Sequence, residues 1–129
     1  MAQSAIQFYT AGFFEELARR LNADEDWGRQ MKGQHLRINC TASDRQKSFL
    51  ISIEDGRVST QEVTTEVPAD FRLEGPYKTW VQLCKGEWEI DQLIQTGRIR
   101  LAGSMPDAMR LMGPLNLIVL TARSFPKEF

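Results

Sequence analysis

Thr96-Gly-Arg-Ile-Arg-Leu-Ala-Gly-Ser-Met-Pro-Asp-Ala-Met-Arg-Leu111 is the stretch whose reading decides the fold. Ile99, Leu101 and Gly103 fall at strand spacing with Arg98 and Arg100 on the other face, so the segment opens as a short strand. Ser104 then supplies a helix cap and Asp107 suits the first turn of a helix that carries Met105 and Met109, with Met112 just beyond. Nothing in the stretch looks catalytic. It offers flexible, polarizable apolar surface behind a sheet edge, suited to holding an apolar molecule rather than transforming one.

Downstream, Gly113-Pro114 is expected to break that helix before a last one begins. The last helix holds Leu115, Leu117, Ile118, Val119 and Leu120, more apolar residues than one face needs, leaving some to cover a cavity, a partner or a membrane surface. Upstream, Pro76 opens a helix whose stripe is Tyr77, Trp80, Val81 and Cys84, stopped by Gly86. A second helix spans Glu87 to Gln95, with Leu93 and Ile94 inward, before Gly97 ends it.

The first half of the chain begins helical and changes period. Ile6, Tyr9, Phe13, Leu17 and Leu21 form an amphipathic stripe, and Asp24-Glu25-Asp26 introduces a short helix through Trp27 and Met31 that Gly33 closes. Leu36, Ile38 and Cys40 then alternate with polar neighbours, as do Phe49, Ile51 and Ile53. Asp55-Gly56 predicts a tight hairpin turn into a third strand, antiparallel to the second. Val63 to Val67 reads as weak strand or loop before Pro68, and Phe71 with Leu73 marks a fourth strand.

Length and charge exclude several classes. At 129 residues the chain is about one domain long, and residues 1–129 are read as a single domain. Sixteen basic against seventeen acidic residues leave no excess positive charge for phosphates, which argues against nucleic acid. The longest apolar run, Leu117 to Leu120, is far short of the roughly 20 residues that cross a bilayer. The N-terminus lacks the basic and long apolar regions of a secretory signal, so a cytoplasmic location is the expectation. Cys40 and Cys84 have no metal spacing and read as small buried hydrophobes, with a disulfide as the alternative.

Catalytic readings find little. His35, the lone histidine, has no helical His partner or nearby cysteine and reads as a strand-end residue. Glu54 and Asp55 point apart as hairpin neighbours, and the turn accounts for Asp55. The glycines from Gly97 to Gly103 are too widely spaced for a dinucleotide loop, and no phosphate-cradling run exists. The expectation is no catalytic residue, no metal ligand and no cofactor.

Phe49-x-Ile51 leading to Asp55-Gly56, then Ala69-Asp70, Trp80-x-x-Leu83 with Lys85-Gly86, and the Thr96 to Leu111 stretch occur here in one order. In this the chain resembles the type-two sterol carrier proteins, over about Leu36 to Leu117 and most specifically in the last third. The resemblance implies an α+β fold, a five-stranded, mostly antiparallel sheet with helices packed on one face around an apolar tunnel. It also implies binding of fatty acids, acyl-coenzyme A, sterols or phospholipids without catalysis. The ending Pro126-Lys-Glu-Phe129 is not a Ser-Lys-Leu peroxisomal address, and Glu87 to Gln95 departs from the family pattern in lacking proline, so ligand preference does not carry over.

The expected lining of such a tunnel is Phe13 and Leu17 of the first helix and Phe49, Ile51, Ile99 and Leu101 of the sheet. Trp80, Leu83 and Leu93 join from the middle helices, and Met105, Met109, Met112, Leu115, Ile118 and Val119 from the last two. Arg110, Asn116 and Arg123 are read as solvated helix faces, with contact to a ligand headgroup as the alternative. The expected partner is an apolar lipid, with at most transient membrane contact. A rival reading makes the chain an interaction module or accessory subunit that docks on an acyl-processing enzyme through its apolar C-terminal helix.

Overall fold

The structure is a computed structural model that describes residues 5–129. In chain order its elements are β1 (Ile6–Gln7), α1 (Ala11–Ala23), α2 (Glu25–Gln30), β2 (His35–Ala42), β3 (Lys47–Glu54), β4 (Arg57–Val63) and β5 (Phe71–Gly75). There follow α3 (Tyr77–Lys85), α4 (Ile90–Gln95), β6 (Arg100–Ala102), α5 (Met105–Arg110), α6 (Met112–Arg123) and β7 (Lys127–Glu128). The fold is α+β, with a five-stranded sheet in the order β4-β3-β2-β5-β6. Every neighbouring pair is antiparallel except the central β2 and β5, which run parallel with Ile38 opposite Phe71.

The alternation read in the sequence sets the two faces of the sheet. Leu36, Ile38 and Cys40 of β2, Phe49, Ile51 and Ile53 of β3, and Phe71 and Leu73 of β5 all join the main apolar core with α1, α3, α4 and α6. Asp55 and Gly56 take φ of 51° and 81°, the left-handed pair that closes a tight β3–β4 hairpin. α2 is fastened to this turn, because Trp27 Nε1 donates to the Gly56 carbonyl at 2.8 Å. Part of the opposite face is buried too. Leu50, Asn39, Thr41 and Ser48 are nearly inaccessible there, the Asn39 amide donates to the carbonyls of Thr64 and Val67, and the Thr41 and Ser48 hydroxyls pair at 2.7 Å.

Three boundaries differ from the sequence reading. The first helix begins at Ala11 rather than at Ile6: Tyr9 sits at φ 60°, Thr10 caps the Phe13 amide, and Ile6 belongs to β1. Ile6 and Gln7 pair in parallel with Lys127 and Glu128, a clasp in which the Phe8 amide donates to the Glu128 carbonyl at 2.8 Å. The fourth helix starts at Ile90, after the reciprocal capping box of Glu89 and Gln92. The α5–α6 break falls at Leu111, and Gly113-Pro114 sits in the first turn of α6, where the proline's missing amide proton would have had no partner.

Candidate functional site

Two apolar cavities lie between the sheet and the helices. The larger, about 70 Å³, is walled by Phe8, Tyr9, Phe13, Phe14 and Leu17 from the N-terminal segment and α1, by Cys40 and Ile51 from the sheet, by Trp80, Leu83 and Cys84 from α3, and by Ile118, Val119 and Ala122 from α6. The smaller, about 50 Å³, reaches Ile38, Leu73, Ile90 and Leu115 and shares six walls with the first: Cys40, Ile51, Trp80, Leu83, Ile118 and Val119. Those six side chains are therefore the partition. Ligand sites usually run to about 300–1,000 Å³. A long chain fits here only if the partition moves.

The few polar atoms near the cavities are already engaged. The Tyr9 hydroxyl donates to the Cys40 carbonyl at 2.8 Å, and the Trp80 indole donates to the Thr41 carbonyl at 2.9 Å. Burial drives the Tyr9 phenol far above its ordinary range, with the Cys40 thiol adding to it. Burial also pushes the Cys40 thiol up to about 12 and raises that of Cys84, against the opposing influence of Lys127 and Arg123. Both thiols are free and stay protonated near neutrality, so they act as small hydrophobes rather than nucleophiles. Among the described residues no group of three or more His, Cys, Asp or Glu side chains is placed to hold a metal.

Comparison with known proteins matches residues 14–116 to the SCP-2 sterol transfer family. The chain belongs to that family. The SCP-2 fold is equally plain in solved structures. A crystal structure of sterol carrier protein 2 superposes with a TM-score of 0.75 at 18% identity, covering 92% of this chain and 98% of that one. A possible sterol carrier protein from Thermus thermophilus gives 0.74 at 18% identity, over 98% and 94% of the two chains. A ubiquinone synthesis protein described as UbiJ-SCP2 gives 0.60 at 14% identity, over 86% and 91%. No curated protein sequence gives a significant match.

Within this SCP-2 fold the residues picked from the sequence divide into three groups. Phe13, Leu17, Ile51, Trp80, Leu83, Ile118 and Val119 line the larger cavity, and Leu115 lines the smaller. Phe49, Leu93 and Ile99 are fully buried elsewhere in the core, with Phe49 stacked on Phe14 at 4.3 Å, and Leu101 and Met112 pack at its margin. Met105 and Met109 face solvent, 48% and 53% exposed, and neither cavity includes them. In the short α5 it is Ala108, 1% exposed, that meets the core, and the two methionines one turn apart share a different face.

Other walls were not singled out by the sequence reading. Cys40 and Cys84 carried a signal, since each continues a stripe: Cys40 alternates with Ile38, and Cys84 lies one turn beyond Trp80. Ala122 likewise follows Ile118 by four. Tyr9 belonged to the first apolar stripe but reaches the cavity from ahead of the helix, at a positive φ, and Phe8 beside it carried no signal.

Proposed function

We propose that this single domain is a non-catalytic carrier that binds and transfers a long apolar ligand, a fatty acyl compound or sterol, in the space between sheet and helices. The observation that carries the reading is the pair of apolar cavities in an SCP-2 fold, which share six bordering residues. A related SCP-2 structure from Aedes aegypti is described as palmitated, which supports an acyl ligand for that protein and suggests one here. Lining roles fall to Phe13, Leu17, Ile51, Trp80, Leu83, Leu115, Ile118 and Val119. A cytoplasmic location is part of the proposal. No helix among the described residues is long and apolar enough to cross a membrane.

Magnitudes suit transfer. Burying about ten methylenes at about 0.8 kcal/mol each yields roughly 8 kcal/mol of gross driving force. Moving the partition and immobilising the ligand consume part of it, which leaves affinity near the micromolar range and permits release. The test is native mass spectrometry of purified protein, solvent extraction, then displacement of a fluorescent fatty acid. Saturable uptake is expected; no co-purified lipid together with no saturable uptake up to the solubility limit would sink the reading.

A second reading, an accessory subunit on an acyl-processing enzyme, draws on the half-exposed Leu120 of the apolar α6 and on the likeness to a ubiquinone synthesis protein. It would appear as a discrete mass increase on mixing with cell extract.

A further inference from the structure

The larger cavity offers no group for a polar headgroup, since the Tyr9 hydroxyl is engaged and the thiols stay neutral. An amphiphile must therefore leave its head at a rim. At the end where Phe8 and Phe13 form the wall, the aromatic side chains continue outward: Phe13 meets Phe125 at 5.5 Å, and Phe8 meets Phe129 at 5.1 Å. Cations cover these outer rings. The Arg20 guanidinium and the Lys127 ammonium lie 4.9 and 4.7 Å from the Phe125 centroid, and Lys85 lies 5.1 Å from that of Phe129. Arg123 joins them beside Gly86, donating to the Leu83 and Trp88 carbonyls at 3.0 and 3.1 Å.

Helix ends explain only part of this cluster. One cation answers each converging C-terminus, Arg20 for α1, Lys85 for α3 and Arg123 for α6. Lys127, on β7, answers no helix end, and its ammonium donates to the Phe125 carbonyl. Carboxylates offset Arg20 and Arg123 through Glu16 at 3.3 Å and Glu89 at 3.6 Å. Among the described residues no carboxylate forms an ion pair with Lys85 or Lys127, and the neighbouring Glu128 pairs with neither. This excess sits on a chain whose net charge is −1. Burial holds the Lys127 ammonium below the usual lysine range against the opposing influence of Cys84, with Arg20 adding a smaller repulsion, so this positive charge is partly desolvated.

The geometry points to an anionic headgroup subsite at this rim, where Lys85, Arg123 and Lys127, with Arg20 beside them, receive the carboxylate or phosphate of a single-chain amphiphile whose tail enters past Phe13. The inference rests on the carrier reading and narrows it, making the ligand an acid rather than a neutral sterol or alcohol. Lys127 contributes the unassigned charge, and Phe125 and Phe129 are the side chains the tail displaces.

Displacement titrations with dodecanoate, dodecyl phosphate and 1-dodecanol, all below their micellar limits, test it with the wild-type chain and a Lys85→Gln, Lys127→Gln double variant. At least one anion should bind wild type about tenfold or more tighter than dodecanol, as charge-assisted contacts allow, and the better anion identifies the head. That preference should shrink severalfold in the variant while dodecanol affinity holds. Raising salt should weaken only the anions in wild type, a readout that survives a variant that fails to fold. Equal binding of acid and alcohol by wild type, or a folded variant that keeps the preference, would overturn the subsite and leave the carrier standing. Binding of none of the three would overturn both.

Discussion

Gly103 and Gly28 make opposite cases at the scale of single residues. Gly103 stands at φ 137°, and a Cβ there would lie 2.7 Å from the Asp70 carbonyl oxygen and 2.8 Å from Phe71 Cδ1. Gly103→Ala is expected to cost about 1–3 kcal/mol in urea denaturation, because β6 must shift away from β5. Gly28, inside α2 with nothing within 4 Å of its missing Cβ, should gain up to about 1 kcal/mol on Gly28→Ala. Cys40 gives a pH dependence of definite sign. Its thiol keeps its proton to about 12 when folded but loses it near about 8.5 when unfolded, so the folded state binds more protons between those values. Stability should therefore fall as pH rises through that window, by up to about 1.4 kcal/mol per unit from this group, with Cys84 and Tyr9 adding in the same direction. Urea midpoints from about pH 8 to 11 should fall less steeply in Cys40→Ala. Sequence spacing marked Cys40 as inward but carried no sign of the backbone twist that brings in Tyr9.

Among elements, legibility tracked how local the governing interaction is. The β3–β4 hairpin was readable because Asp55-Gly56 dictates its own turn, and α3 because Pro76 and Gly86 bracket a clear stripe. The start of α1 was not, since Ile6 fits the helical period and is held out of the helix by the turn at Tyr9, the Thr10 cap and pairing with Lys127, far along the chain. The α5 methionines misled for a related reason: apolar content forecasts burial only when the helix is long enough to need that face, and α5 is anchored by Ala108 and Leu111. Asn22 is the reverse case, an exposed helix-end residue with a structural task. Its side-chain amide donates to the Val58 carbonyl at 2.8 Å and accepts from the Val58 amide at 2.7 Å, filling outward backbone groups of the edge strand β4. Asn22→Ala is expected to cost about 1–3 kcal/mol and to promote association through the bared edge, measurable by denaturation and light scattering. A variant of unchanged stability and solubility would show that water replaces Asn22 at no cost.

Across the whole molecule, the fold was legible and the cavity was not. The ordered motifs between Leu36 and Leu117 carried the resemblance to the SCP-2 family, but Leu, Ile, Phe and Trp line a filled core as readily as a hollow one. Volume depends on how α1, α3 and α6 sit over the sheet, a sum of contacts that spacing does not encode. The parallel pairing of β2 with β5 extends this point to time. β2, β3 and β4 can assemble through local turns, whereas β5 reaches Ile38 only after the long loop that contains them closes. Contacts of that separation form slowly. Because the cavity takes Cys40 and Ile51 from one part and Trp80, Leu83, Ile118 and Val119 from the other, it exists only once the late part has docked. A bound acyl chain should therefore slow unfolding and leave the refolding rate unchanged, which stopped-flow chevrons with and without dodecanoate can read. Cargo in this protein would then act as a brake on its disassembly.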